Sequence, residues 1–137
     1  MDQVSRLPES ERKRLNEISR GVIGSAIKVH TVLGPGLLES AYEACLEHEL
    51  RRRGHTVLRQ VILPVIFDGL EVDLGYRIDL IVDNDVLLEL KACENIAPVH
   101  RSQLTSYLKL SQRHLGLLIN FHEYGLKDGI VRIVNSF

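Results

Sequence analysis

The stretch RIDLIVDNDVLLELK, residues 77–91, places Asp79 inside one apolar run and Glu89 and Lys91 inside the next. Both runs have the aliphatic character of buried strands, and Asp83, Asn84 and Asp85 between them form a turn signal. A lone charge in a buried strand costs several kcal/mol, or its pKa moves until the group is neutral. The chain must therefore fold so that these acids and this amine meet one another or a ligand. Side chains alternate faces along a strand, so Glu89 and Lys91 project from the same side. With a turn of three residues, Val82 faces Val86, and counting back opposes Asp79 to Glu89 and Arg77 to Lys91. A turn of two residues would instead pair Asp79 with Leu90. The longer turn gathers Ile78, Leu80, Val82, Val86, Leu88 and Leu90 on one apolar face, and this patterning selects it.

Directly opposed like charges destabilise a sheet. Two carboxylates meeting there want a cation, and an oxygen-only donor set suits Mg²⁺ or Mn²⁺ better than zinc. The hairpin alone leaves a second solution open, in which Arg77 and Lys91 pair with Asp79 and Glu89 in a structural ion network. Glu39 adds a third acid. It stands in the first turn of a helix, on the side of Tyr42 and Leu46, and so points inward or towards a cleft. The helix dipole also favours an acid there without any further role. His100, Gln103 and Tyr107 recur at i, i+3 and i+7 on a later helix, a polar stripe that a solvated face also explains.

Around this hairpin the sequence predicts helices before and after. Residues 1–14 are polar, with Pro8 and a charge run, and read as a lead-in. Ile18, Val22, Ala26, Val29 and Leu33 then recur at helical spacing until Gly34, Pro35 and Gly36 end the helix. A second helix runs from about Leu37 to Arg53, with Gly54 as its cap. TVLRQVILPVIFDGLEVDLGYRIDLIV switches to strand-like residues, with Asp68-Gly69 as one hairpin signal and the turn after Val82 as the next, which makes a three-stranded antiparallel meander. Pro98 opens a third helix through about Leu110, and HLGLLINF and IVRIV follow as strands. The order is ααβββαββ, an α/β domain over residues 15–137.

At 45% hydrophobic and 26% charged residues the chain is long and apolar enough to bury a core, and a formal net charge of −1 argues against a protein that coats nucleic acid non-specifically while leaving a local groove open. Cys45 and Cys93 lack C-x-x-C spacing and suggest neither a disulfide nor zinc. With no signal-peptide core and no apolar stretch approaching about 20 residues, the expectation is a cytoplasmic protein with no membrane partner.

Taken together these motifs resemble a known family. GLLESAY, residues 36–42, fits G-x-x-E-x-x-Y, and with RIDLIV, LLELK and QLTSY in that order, and the flanking VHTVLGPGLLES and APVHRSQL, the chain is similar to the GxxExxY proteins, a branch of the PD-(D/E)xK nuclease superfamily. The likeness runs from about Asn16 to KDGIVRIVN. It implies a restriction-endonuclease-like core, a mixed sheet flanked by helices. It also implies that Asp79 and Glu89 ligate Mg²⁺ or Mn²⁺ with the backbone carbonyl of Leu90, and that Lys91 orients the attacking water. Glu39 would be a further ligand or a supporting acid, and Gln103 and Tyr107 would position water or phosphate. Ile78 stands where the family name has proline. Arg51, Arg52, Arg53, Arg59, Arg101 and Lys109 are candidates for a nucleic-acid backbone path, although a solvated face also explains the first three.

Two functions follow. One is a metal-dependent phosphodiesterase acting on DNA, for which one or two divalent ions suit the chemistry. The other is a nuclease-fold binding or regulatory module without turnover, for which a monomer and a homodimer both stay open.

Overall fold

The computed structural model describes residues 6–137. Two helices come first, α1 (Glu9–Leu33) and α2 (Glu39–Arg52). Of the polar lead-in, residues 1–5 lie outside the described residues, and residues 9–14 already form the first turns of α1. Strands β1 (Val57–Ile62), β2 (Val65–Phe67), β3 (Leu70–Val72), β4 (Arg77–Val82) and β5 (Val86–Lys91) follow, then α3 (Pro98–Ser111), β6 (Leu115–Asn120) and β7 (Ile130–Val134). The main sheet has the order β1-β4-β5-β6-β7 and is mixed, with only β5 and β6 parallel. Helix α3 makes the crossover that a parallel pair requires. Helices α1 and α2 cover one face of the sheet and α3 the other, so the fold is α/β and restriction-endonuclease-like.

The meander exists as β1-β4-β5, but the Asp68-Gly69 turn does not join two of its strands. That turn closes a separate ribbon, β2–β3, inserted between β1 and β4. Pro64, which lacks an N–H, interrupts the strand before the ribbon, and Gly75 at φ +79° turns the chain back after it. The N–H of Leu63 then bonds the carbonyl of Tyr76 at 2.9 Å across its base.

The core is two-sided. Leu46, Leu50 and Val22 meet Leu80, Val82, Leu88 and Leu117 on the α1/α2 side, while Leu104 and Leu108 of α3 meet Ile81, Leu87 and Leu118 on the other. Every residue of β6 is buried, as a strand covered on both faces requires. Gly116 lets α3 approach, because a Cβ there would stand 3.0 Å from Leu104 Cδ1.

The position of α2 is set by Tyr42. Its ring stacks on Phe121 with centroids 4.5 Å apart, and it is fully buried. Its hydroxyl donates to the Gly34 carbonyl (2.6 Å) and accepts from the Leu37 N–H (3.1 Å), closing the glycine-rich turn between the helices. The tyrosine of G-x-x-E-x-x-Y thus fixes the turn in front of Glu39. Tyr42→Phe leaves a carbonyl and an N–H without their partner, and we expect a loss of about 1–3 kcal/mol of stability in urea denaturation. A change within about 0.5 kcal/mol, the range of neutral surface substitutions, would mean the turn is held without the hydroxyl.

Candidate active site

The turn between β4 and β5 takes the register that the apolar pattern selects, with Val82 opposite Val86, Ile81 opposite Leu87 and Leu80 opposite Leu88. Asp83 and Asn84 adopt left-handed φ of +49° and +63° in it. The turn is held from several sides: Asp83 accepts the Thr56 N–H (2.9 Å), Arg113 donates to the Asn84 carbonyl (2.7 Å), and Arg14 pairs with Asp85 (2.7 Å).

Beyond Leu80 and Leu88 the backbone ladder stops, and carboxylates take its place. The Leu90 N–H donates to Asp79 Oδ2 (2.8 Å), and the Asp79 N–H donates to Glu89 Oε1 (3.2 Å). Each acid thereby bonds the other's strand. Arg77 and Lys91 form no ion pair with either acid among the described residues, so the structural ion network left open by the sequence is not built. Burial pushes the Glu89 carboxyl up to about 8, helped by the neighbouring Asp79 charge and opposed by the Asp79 N–H and Lys91. Burial also raises Asp79, with the Leu90 N–H opposing and the Glu43 charge adding to it.

On the other side of β4, the ladder with β1 skips Gln60 and Asp79, although Arg59 still faces Leu80 and Val61 faces Ile78. Gln60 has φ +53°, which rotates the chain out of the pleat. Alternation resets here: Leu80 and Val82 pack towards α1 and α2, but Ile78 packs with Ile81 and Leu87 on the α3 side. The single apolar face expected for Ile78, Leu80 and Val82 therefore breaks at Asp79.

Asp79, Leu90 and Lys91 open into a cleft of about 430 Å³ under α2, lined also by Glu39, Ser40, Glu43 and Gln60. Lys91 stands at the end of β5, whose exit is tied down by buried Asn120: its Oδ1 accepts the Cys93 N–H (3.2 Å) and its Nδ2 donates to the Cys93 carbonyl (2.8 Å). Glu39 is exposed at the cleft's mouth. Gln103 and Tyr107 do not line this cleft. They border a second groove, with Tyr76, Val99 and Ser102, on the α3 side. Burial and then the charge of Glu89 push the Tyr107 hydroxyl up to about 12. His100 accepts the Ala97 N–H at Nδ1 (3.0 Å) and caps α3.

Glu43 and Gln60 are the site residues that sequence reading missed. Glu43, one turn beyond Glu39, is buried, and Arg59 Nε (2.8 Å) and Gln60 Nε2 (2.6 Å) donate to it. The helical spacing of Glu39 and Glu43 was the available signal. The basic path proposed along α2 is not free either. Arg52, Arg53 and Lys28 enclose buried Glu49, Arg51 bonds the Val57 carbonyl, and Arg59 is taken by Glu43. Arg101 and Lys109 of α3 remain exposed.

A mixed sheet between helices, with Asp79 and Lys91 lining a cleft and Glu89 buried beside Asp79 outside its lining, defines a nuclease-like α/β protein. A sequence profile of the PD-(D/E)XK nuclease superfamily matches residues 16–133, and the chain belongs to that superfamily. Neither a curated protein nor a solved structure gives a match. No helix among the described residues is long and apolar enough to cross a membrane.

The raised Glu89 carboxyl yields a signed expectation. The folded state holds this proton more tightly than the unfolded state, where Glu titrates near 4.3. Stability is therefore fully present at low pH and is lost as pH rises from about 4.5 through about 8, by at most about 1.4 kcal/mol per pH unit. In chelator, Glu89→Gln should match wild type near pH 5 and melt above it near pH 8. Melting curves that stay parallel across this range would place the Glu89 carboxyl at an ordinary acidity.

Proposed function

We propose that the cleft hydrolyses phosphodiester bonds in nucleic acid, DNA first among candidates, with Mg²⁺ or Mn²⁺ held by Asp79, Glu89 and the Leu90 carbonyl. The observation that carries this reading is the reciprocal acid pair: half-buried Asp79 and buried Glu89 share one gap between strands, and among the described residues no Lys or Arg pairs with either. Among the described residues no three His, Cys, Asp or Glu side chains group as a metal cage. The fit therefore rests on two carboxylates and main-chain oxygen, a hard, oxygen-only set of the kind these ions take, with their remaining coordination left to water and phosphate. A bound divalent ion supplies charge for the phosphoryl oxygens and lowers the pKa of water.

The chain's own groups do the rest. Lys91, tied in place by the strand exit at Asn120, holds a positive charge and hydrogen-bond donors at the cleft where negative charge develops on phosphate. Tyr107, with its hydroxyl raised to about 12, stays protonated at neutral pH and acts as a donor behind the acids. Gln103 is one turn away on the same helix. Glu39, at the mouth, supports the metal side from α2, and the motif it belongs to supports a reading of the chain as one of the GxxExxY branch. Of the basic residues that are candidates for a phosphate-backbone path, Arg101 and Lys109 are exposed and form no ion pair among the described residues.

Single- and double-stranded DNA and RNA, each incubated with Mg²⁺, Mn²⁺ or chelator, test this directly. We expect metal-dependent cleavage of at least one substrate that chelator abolishes. Lys91→Ala should lower turnover by about 100-fold or more while Mn²⁺ affinity stays within about twofold, because the lysine is not a ligand. Absence of cleavage under every condition, with no metal-induced rise in melting temperature, would favour a binding module instead.

A further inference from the structure

Among the described residues, positive φ outside glycine occurs at turns and ends: Asp68, Asp83 and Asn84 between strands, Gln112 after α3, Ser136 after β7. Gln60 is the exception, with φ +53° inside β1. Such a conformation is unfavourable for a residue with a side chain and persists only where its surroundings enforce it. Its consequence is geometric. Neighbours in a strand point to opposite faces, yet Arg59 and Gln60 both bond Glu43 of α2, through Nε at 2.8 Å and Nε2 at 2.6 Å. The left-handed residue sends two consecutive side chains to one helix.

The same Gln60 nitrogen lies 3.3 Å from Asp79 Oδ1. An amide nitrogen has two hydrogens for two acceptors, whereas an amide oxygen facing two carboxylates would be repelled by both. Gln60 thus bridges two acids that would otherwise repel across the cleft. Asp79 Oδ2 already takes the Leu90 N–H at 2.8 Å, so with the Gln60 bond both oxygens, and hence the plane of the carboxylate, are set.

We infer that Gln60, turned over by its backbone and held by the Arg59-bound Glu43, is a positioning residue that orients Asp79 for metal binding. This rests on the reading of the cleft as a divalent-metal phosphodiesterase. A residue that merely stitched the edge strand to α2 would matter for stability and not for the metal. Groups that orient a ligand typically change metal affinity 10- to 100-fold when removed.

Gln60→Gly separates the two roles, because glycine accepts positive φ without strain while removing the amide. Measured on the full chain by Mn²⁺ titration calorimetry, by the electron paramagnetic resonance spectrum of bound Mn²⁺, and by melting in chelator, the variant should melt close to wild type, relief of the backbone strain offsetting the lost bond to Glu43. It should bind Mn²⁺ at least about tenfold more weakly. Should Gln60→Gly melt lower, Gln60→Asn decides: asparagine tolerates the left-handed backbone but is one methylene shorter. Native-like melting of that variant with weakened Mn²⁺ binding sustains the proposal. Wild-type Mn²⁺ affinity and an unchanged spectrum in either variant overturn it while leaving the phosphodiesterase reading intact. Wild-type protein that binds no Mn²⁺ at all overturns both.

Discussion

Between β4 and β5, side-chain carboxylates replace main-chain hydrogen bonds, and most of the site's geometry depends on that exchange. A backbone ladder holds strands at a fixed spacing of about 4.8 Å. Where Asp79 accepts the Leu90 N–H and Glu89 accepts the Asp79 N–H, the pair is held through longer arms, and each N–H is still satisfied. The acids are thus fixed by the groups that their own presence frees from the ladder. Their bonds specify where each carboxylate sits more tightly than rotamer preference alone could. The same N–H groups offset part of the cost of bringing two acids together in a partly dry gap, and the upward shift at Glu89 shows that the offset is incomplete.

An open ladder at one end of a strand pair needs firm pairing at the other, and the turn end supplies it. Asp83, Asn84 and Asp85 are each bonded by side chains or backbone from distant parts of the chain: Thr56 and His55, Arg113, and Arg14. On the far side of β5, parallel pairing with β6 continues through Lys91 to Asn120. Strand β5 is therefore rigidly placed along one edge while its other edge parts from β4. Helix α2 lies over this parting, at a height set by the Tyr42–Phe121 stack and a lateral position set by Glu49, around which Lys28, Arg52 and Arg53 gather. Those cations hold the Glu49 carboxyl well below the usual range, Arg52 first among them. They also show why a run of arginines in sequence need not be a surface for phosphate.

The order of the helices and main-sheet strands and the hairpin register were legible in the sequence because each follows from local chemistry, whereas the mixed sheet was implied by the family resemblance. Proline at Pro98, the glycines around Pro35 and the aliphatic alternation of Leu80, Val82, Val86 and Leu88 all act over a few residues. What stayed hidden depended on one residue's backbone. Nothing in VLRQVI announces that Gln60 is left-handed, since glutamine has no special tolerance for it, and so the reset that sends Ile78 to the opposite core was invisible. The inserted ribbon was masked for a similar reason: Asp68-Gly69 signals a hairpin, but a turn signal does not say which sheet its strands join. Glu43 escaped notice because Glu39 carried the motif, although burial distinguishes the two at once, Glu43 being 7% exposed and Glu39 open to solvent. Gln103 and Tyr107 were placed with the acids by the family resemblance, and the sheet itself separates their groove from the cleft.

The distribution of strain and support across the molecule has a direction. The left-handed Gln60, the opened ladder and the clustered carboxylates Glu43, Asp79 and Glu89 all fall within a few residues of one another in space, and each raises the free energy of the folded chain. None is needed to complete the fold. A β4–β5 pair laddered to its end would satisfy its N–H groups with backbone carbonyls instead of carboxylates. The surrounding structure, by contrast, is closely satisfied: β6 is buried throughout, Asn120 bonds the Cys93 backbone with both amide atoms, and Tyr42 uses its hydroxyl as donor and acceptor. Unfavourable features confined to one cleft and enforced by a well-packed frame are what pre-organised binding of a cation demands, because the acids are brought together before the cation arrives, and the raised Glu89 carboxyl marks the cost of doing so.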